Sequence, residues 1–539
     1  MPEYEQSGSI EEGRRIITEF GYAEASRKPY EQVWQDVATL CCPNSISFTL
    51  KNTVGGEDRT QDQYDTLAPR SNKKFTALIM GLGTNPTTKW VQYALTSGAK
   101  PNEETSRWLQ QKRDDVLFYA NRDGFYRSAS GVYGSLGLFG NAVQWIEERP
   151  IKAKGFNGFR FLTPSFSETY FCVDGNGDVS QFFRSVSMTA YQAVSYFGVS
   201  APLPIKIMEA YGKNDVNSRF TFIFKCCPTD EENSRGSYDA YWVCREGEVL
   251  ISEQEYPERP FVAPRMPVPN DEIYGRGIAV DNIADIRTAN HLAKRHLQGA
   301  DYSVLPPVAY NEGMDIDLKN RRPGRWYSVS DINGFKPDVA AIQPELFMSK
   351  YQACAEAIRD AWYVNQIEMP NNAEYMKATV ALEIARQNRI VLGPIFAWLD
   401  GEYFKPAVDL MTRIYLRSQK DIPEQVKAEG GIKIEFIGPM AQAQQQVDLQ
   451  AFRNGLTDMA SIAQVNPSSL DYFDGDKAME FVAQRNGIPL DLFRKKVEVQ
   501  KMRSERAQVQ AAQMQAQLLT AGAQAAKLNA EAQATVQGA

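Results

Sequence analysis

Residues 274–301 read YGRGIAVDNIADIRTANHLAKRHLQGAD, and this stretch divides the chain into two textures. Before it, from 156 to 262, the sequence is strand-like. FCVDGNGDVSQFF (171–183) is two apolar–aromatic runs joined by an Asp-Gly-Asn-Gly turn, which predicts a hairpin. RFTFIFKCC (219–227), YDAYWVCREGEVLI (238–251) and RPFVAPRMPV (259–268) predict further strands. Within the quoted stretch the pattern turns helical over 281–301. A Pro- and Arg-rich insert follows at 305–329, then a helix over about 345–363 and the loop NQIEMPNNAEYMKA (365–378). A long helix over about 379–419 contains Pro394 and Pro406, each expected to kink it.

Working outward, residues 9–40 read as helices, opening on a Ser and two early acids. A polar loop (51–65) leads to a helix after Pro69, a turn, and the strand WVQYAL (90–95). Residues 104–147 read helical, KIEFIGP (433–439) is a short strand, and 441–500 is helical again. The expected class is α+β, mainly helical. There is no internal repeat, and low complexity is confined to the Ala/Gln-rich segment 506–537.

Composition narrows the function. The 539 residues, 43% of them apolar and 11% aromatic, suffice for roughly three or four domains with real cores. A net charge of −7 argues against coating nucleic acid by bulk positive charge. The seven cysteines include adjacent pairs, Cys41-Cys42 and Cys226-Cys227, and no CxxC, so they read as free thiols in a reducing compartment. The start reads as lacking a signal peptide and no apolar run approaches a membrane span. The chain is expected in the cytoplasm or in an assembly built there, with no membrane partner.

No catalytic constellation emerges. The two histidines, His291 and His296, stand five apart and do not share a helical face, so they read as solvated rather than metal-ligating. Asp174, Asn176 and Asp178 begin like a calcium loop, but Val179 replaces the required Gly and Ser185 the bidentate Glu. Gly131, Gly134, Gly137 and Gly140 recur every third residue without a Walker Lys, which points to close helix packing. Tyr133 stands where GxSxG needs its first Gly. Two basic clusters remain, Arg287, Lys294 and Arg295 on the helix, and Lys319, Arg321, Arg322 and Arg325 in the insert. Each is either solvated surface or a phosphate contact, since guanidinium groups fork onto phosphate oxygens.

Five segments in order resemble the head-to-tail connector, or portal, proteins of short-tailed bacteriophages (podoviruses, T7-like). They are NKKFTALIMGLGTNPTTKW (72–90), NRDGFYRSASGVYGSLGLFGNAVQWIEE (121–148) and EIYGRGIAVDNIADIRTAN (272–290), leading on to PPVA. ATVALEIARQNRIVLGPIFAWLDGEYFKPAVDLM (378–411) and EFIGPMAQAQQ (435–445) complete the set. Gly277 stands where members often have Ser.

The resemblance implies a portal fold assembled as a dodecameric ring at one capsid vertex. It implies a wing over 1–270, a first stem helix over 271–302, a clip over 303–340 and a second stem helix over 341–363. A tunnel loop would span 364–378, a long kinked wing/crown helix 379–432, the crown 433–500 and a C-terminal barrel helix 501–539. Double-stranded DNA would pass through the axis during packaging and ejection. The implied partners are further copies of itself, the major capsid and scaffolding proteins, the terminase large subunit, and tail adaptor and internal core proteins. No enzyme activity, cofactor or metal is implied. A capsid or scaffold protein without a channel, or an enzyme with an unrecognised site, is the alternative.

On this mapping the channel and phosphate-contact candidates are the two basic clusters together with Gln366, Glu368, Asn371, Asn372 and Lys377. A conduit for every sequence needs no base-edge readout. Twelve copies at −7 each give about −84, a field that does not grip phosphate. In the last segment Val509, Ala512, Ala516, Leu519, Ala523, Ala526 and Ala530 alternate by three and four, a seam of mostly small residues. Alone that helix buries too little to hold. Among identical neighbours it would form one stave of a barrel up to about 45 Å tall, with disorder after Gly522 as the alternative.

Overall fold

The computed structural model describes residues 3–49, 56–150, 155–229, 236–270, 272–304, 308–310, 335–337, 344–367, 391–419, 421–437, 439–465, 473–486, 494 and 496–537. The chain divides into two compact units, Met1–Ala441 and Gln442–Ala539. The class is mainly helical α+β, as expected.

The first unit begins with α1 (Glu3–Cys41), α2 (Leu67–Leu82), β1 (Val91–Leu95), α3 (Glu103–Asp123) and α4 (Phe125–Phe139). The Asn102 side chain caps α3 by accepting from the Thr105 amide, and Gly124, at φ 91°, ends it in the left-handed region. The same glycine starts α4, so two helices meet at one residue that tolerates the sharp turn.

Strands β2 (Gln144–Glu148), β3 (Phe159–Leu162), β4 (Thr169–Val173) and β5 (Val179–Thr189) follow. The predicted hairpin is β4–β5. The Asp174 carboxylate accepts from the amides of Asn176 and Asp178, both at 2.9 Å, so it closes its own turn. Next come α5 (Ala190–Phe197), α6 (Ile205–Gly212), β6 (Arg219–Pro228), β7 (Tyr238–Cys244), β8 (Val249–Tyr256) and β9 (Phe261–Val262). Strands β4 to β8 form one antiparallel sheet in sequence order, while β3-β2-β9 form a smaller one.

Helices α5 and α6 interrupt what the sequence reading treated as continuous strands. A reciprocal Thr189–Gln192 capping box starts α5. Ala190, Ala193, Val194, Ile207 and Ala210 then pack on Phe222, Cys244 and Ile251. Elsewhere α1 lays Ile16, Phe20 and Ala23, spaced by three and four, against Tyr170, Phe183, Ile223 and Val243.

The rest of the unit comprises α7 (Ile278–Asp281), α8 (Ile283–Val304), β10 (Val308–Tyr310), β11 (Phe335–Pro337), α9 (Pro344–Ala361) and α10 (Val364–Ile367). After helical residues 391–399 come a π-helical turn at Asp400–Phe404, α11 (Lys405–Arg417), α12 (Glu424–Ala428) and β12 (Ile432–Phe436). Pro406 lies in the first turn of α11, and the Lys405 amide reaches back five residues to the Asp400 carbonyl. The disturbance expected at this proline thus takes the form of a widened turn, because proline has no amide to donate. Strand β12 pairs antiparallel with β1, joining positions more than three hundred residues apart.

Most of α13 (Pro439–Val465), together with α14 (Gly475–Asn486) and α15 (Lys496–Gln537), belongs to the second unit. The Arg503 guanidinium forks onto both carboxylate oxygens of Asp476, at 2.7 and 2.6 Å, tying α15 to the start of α14.

Candidate functional site

Two of the sequence segments singled out above meet in space. Helix α4 ends at Gly140, in the left-handed region at φ 77°, and the next residue, Asn141, is fully buried. The Asn141 amide group donates to the carbonyls of Gly275 and Phe139, both at 2.8 Å, and its carbonyl oxygen accepts from the Gly275 amide at 2.9 Å. One side chain thereby satisfies three backbone groups of a buried loop. A side chain on Gly277 would collide with the Gly140 amide, and one on Gly275 with the Met266 carbonyl. These glycines are required by backbone approach.

Tyr274 anchors the same loop. Its fully buried ring stacks on Phe171 and meets Trp34 edge-on, and its hydroxyl accepts from the Phe171 amide at 3.1 Å. Burial pushes the phenol well above its usual range. The loop thus leaves the sheet fixed at both flanks and delivers the chain into α7 and α8.

Helices α8 and α9 pack together, and Ile286 and Ala289 on one and Ala355 and Ile358 on the other are buried. At the base of α9, the fully buried Trp362 donates from Nε1 to the Asn72 side-chain oxygen at 3.3 Å. The Asn72 amide donates in turn to the Gly134 carbonyl, and a side chain on Gly137 would strike Asn72. The glycine series of α4 is therefore where α2 closes on it, as the spacing suggested. Asn290 on α8 accepts from the amides of Tyr64 and Asp65 and donates to the Asp62 carbonyl. That strap presses Tyr64 toward the helix pair. A 240 Å³ hollow remains there, lined by Tyr64, Leu292, Leu297, Phe347 and Tyr351.

The basic residues predicted on α8 lie in different surroundings. Arg287 pairs with Asp36 on α1. The Lys294 ammonium sits 4.9 Å from the Tyr64 ring centroid. Arg295 is exposed and donates to His291 and Gln298 on its own helix. Both histidines are exposed. Gln366 lies in α10 with its side chain outside the described set. Lys319, Arg321, Arg322, Arg325, Glu368, Asn371, Asn372 and Lys377 fall outside the described residues. In α15, Val509, Ala512, Ala516, Leu519, Ala523 and Ala526 are exposed, and Ala530 lies in the same helix.

Cys41, Cys226, Cys227 and Cys244 are buried, and Cys42, Cys172 and Cys354 half-buried, all as free thiols. Burial pushes Cys172 and Cys244 up to about 11 and Cys42 up to about 12. Thiolate nucleophiles are disfavoured at such positions. Among the described residues no cluster of three or more His, Cys, Asp or Glu is placed to hold a metal ion. No helix among them is long and apolar enough to cross a membrane. Sequence reasoning missed Asn72, Asn141 and Asn290. Each is a lone amide whose partners lie far along the chain, so no local pattern marks it.

The family model described as bacteriophage head to tail connecting protein matches residues 14–493. The portal protein of Salmonella phage epsilon15 is 24% identical over 551 residues, covering 97% of this chain and 96% of the relative. The probable portal protein of Bordetella phage BPP-1 is 23% identical over 544 residues, covering 96% and 95%. Among solved structures, the neck of an empty gene transfer agent particle, computed with C6 symmetry, is 13% identical with a TM-score of 0.39, covering 74% of this chain and 91% of that one. The virion of the native particle gives 13%, 0.36, 75% and 91%.

Proposed function

The chain belongs to the bacteriophage head to tail connecting protein family, and on that premise we propose that it is the portal through which double-stranded DNA enters and leaves the capsid. It is a structural protein of the head–tail junction. Twelve copies form a closed ring at one vertex, assembled in the host bacterial cytoplasm with the scaffolding and major capsid proteins. The terminase large subunit docks first, and tail adaptor proteins replace it. The observation that carries this reading is the match over 97% and 96% of the chain to one portal protein and one probable portal protein.

The architecture supports the same reading. A conduit must bear axial load without changing shape. Helices α8 and α9 are the stem, and the Asn141–Gly275 lock and the Trp362–Asn72 contact fix the two stem helices to the wing. The clip (303–340) and tunnel loop (364–378) carry Lys319, Arg321, Arg322, Arg325, Gln366, Glu368, Asn371, Asn372 and Lys377 toward the bore or the motor. Of the stem cations, Arg287 is already paired with Asp36, which leaves Arg295 the freer phosphate contact. Helix α15 is a barrel stave whose seam is completed by neighbouring copies.

Electron microscopy of the purified protein tests the ring. Closed rings with an axial hole of roughly duplex width are expected, and persistent monomers under all assembly conditions would reject it. Neutralising Arg321, Arg322 and Arg325 together is expected to impair packaging while rings still form. Normal packaging by that variant would remove the clip from the DNA path.

A further inference from the structure

The seam of α15 from Val509 to Ala526 is one of two. Ala507, Ala511, Met514, Leu518, Ala521 and Ala525 alternate by four and three along the other side of the same helix. From Ala507 to Lys527 the two seams together take all twelve apolar residues. The nine residues left over are six Gln, Thr520, Gly522 and Lys527. The pattern starts at Ala507, since Glu505 falls on the first seam, where packing would bury a charge. Neither seam is made of small residues alone. Val509 and Leu519 on the first are 57% and 74% exposed, and Met514 and Leu518 on the second 64% and 70%. A helix that docks on one surface needs one apolar face, and this one has two, both bare.

The angle between the seams selects what covers them. At seven residues per two turns, about 103° each, the seam centres stand roughly 155° apart around one side of the helix and roughly 205° around the other. A two-stranded coil uses one seam and would leave Met514 and Leu518 in water. Closed bundles of three or four helices place neighbours about 60° or 90° apart, the corners of a triangle or a square. A ring of twelve places them about 150° apart, close to the angle between these seams. A second copy supplies the matching surface, with the same spacing at the same height, because rotation about one axis leaves height unchanged. We propose that the Val509–Ala526 seam of one copy packs on the Ala507–Ala525 seam of the next, and that the narrower side of the helix faces the axis.

That narrower side carries one row, Gln508, Gln515 and Gly522, seven residues apart. Lys501, one heptad before Gln508, precedes the paired seams. The wider side carries Gln510, Gln513, Gln517, Thr520, Gln524 and Lys527. The one charge of the stretch, Lys527, thus lies outside, and the wall offered to the axis is amide and glycine. An amide displaces no counterions from the phosphate backbone, so duplex DNA passes without the salt-dependent grip of a cationic wall.

The contact rests on the reading of α15 as a stave of the ring, and cysteine pairs separate the two. Ala516→Cys on the first seam and Leu518→Cys on the second lie on opposite sides of one helix, so they cannot join within a chain. They are combined in the full chain, which is assembled, mildly oxidised and examined by non-reducing gel and microscopy. A ladder of covalent dimers, trimers and higher species is expected from the double variant, and none from either single variant or the wild type. Dimers from Ala516→Cys alone would overturn the proposal, because like seams would then meet. Rings without the ladder would overturn the seam contact and leave the ring standing. Wild-type protein that never forms rings would overturn both. The inner wall is tested by charge. Gln515→Lys is expected to reduce packaged DNA about tenfold, and Gln517→Lys, the same change on the outer side, to leave packaging unchanged. Equal effects of the two, with rings intact in both, would reject this axial face.

Discussion

At the base of α9, Trp362 is fully buried and hydrogen-bonded to Asn72, and around it α2, α4 and α10 close a single core. Along α15, by contrast, every residue from Arg503 to Lys527 is exposed, including Met514, Leu518 and Leu519. The first region obtains its specificity from contacts within one chain, between residues as far apart as 72 and 362. The second offers a long helix with almost nothing to hold it. Isolated helices are marginal even when rich in Ala, and Gly522 adds a cost of about 1 kcal/mol. The difference separates order that is complete within one chain from a helix whose described residues are exposed in it, the helix we propose is completed by neighbouring copies.

Trp362→Ala is the strongest test of the complete kind. Removing a fully buried Trp from a packed core costs about 3–5 kcal/mol, and here it also strips the Asn72 carbonyl oxygen of its donor. A urea titration followed by tryptophan fluorescence and far-ultraviolet dichroism is expected to show that loss. A change below about 1 kcal/mol would mean that the base of α9 is not held by this core.

Alkaline pH gives a second, intermediate contrast. Burial raises Cys172 and Cys244 from an ordinary 9.0 to about 11 and Cys42 to about 12. A group held protonated by folding contributes stability that is fully present below its unfolded value and is lost as pH rises through the folded one. The urea midpoint is therefore expected to fall from about pH 9 upward, and to fall less steeply in Cys244→Ala. The buried tyrosines Tyr93 and Tyr133, also pushed up by burial, act in the same sense. Helix α15 carries neither Cys nor Tyr, so its order has no contribution from these groups to lose in that window. A midpoint that rises toward pH 10 would contradict the burial of these thiols.

How far this contrast was legible in the sequence depends on the range of the signal. The Asp174–Gly177 turn is written locally, because an Asp that caps its own loop and a glycine at positive φ need no distant partner. The helical nature of 496–537 is equally local, following from its Ala and Gln content. Helices α5 and α6 escaped notice because each is only eight residues long and sits between strands, where a short apolar run fits either period. The Asn141–Gly275 lock spans 134 residues, and the two segments gave no sign that they touch. Only the fold explains that the glycines of one segment exist to admit the backbone of the other.

The smallest expected effect is also the sharpest test of the incomplete kind. Leu519→Asp alters a residue that is 74% exposed in the monomer. Surface changes of this sort stay within about 0.5 kcal/mol, so the urea midpoint should not move. If α15 is a stave, the same substitution repeats around an axis, and each new carboxylate lies near its copies in a tightening, partly desolvated seam. Like charges there repel at every interface at once. Rings are then expected to lose the ordered helical barrel in averaged electron-microscopy maps while the wing and stem density persists. Gly522→Ala is expected to act in the opposite direction, extending the ordered helix by removing its weakest propensity. A barrel that tolerates Leu519→Asp unchanged would mean that α15 does not use this seam. Its exposure in the single chain would then be its real condition, and the contrast with the Trp362 core would be one of permanent solvation rather than of awaited neighbours.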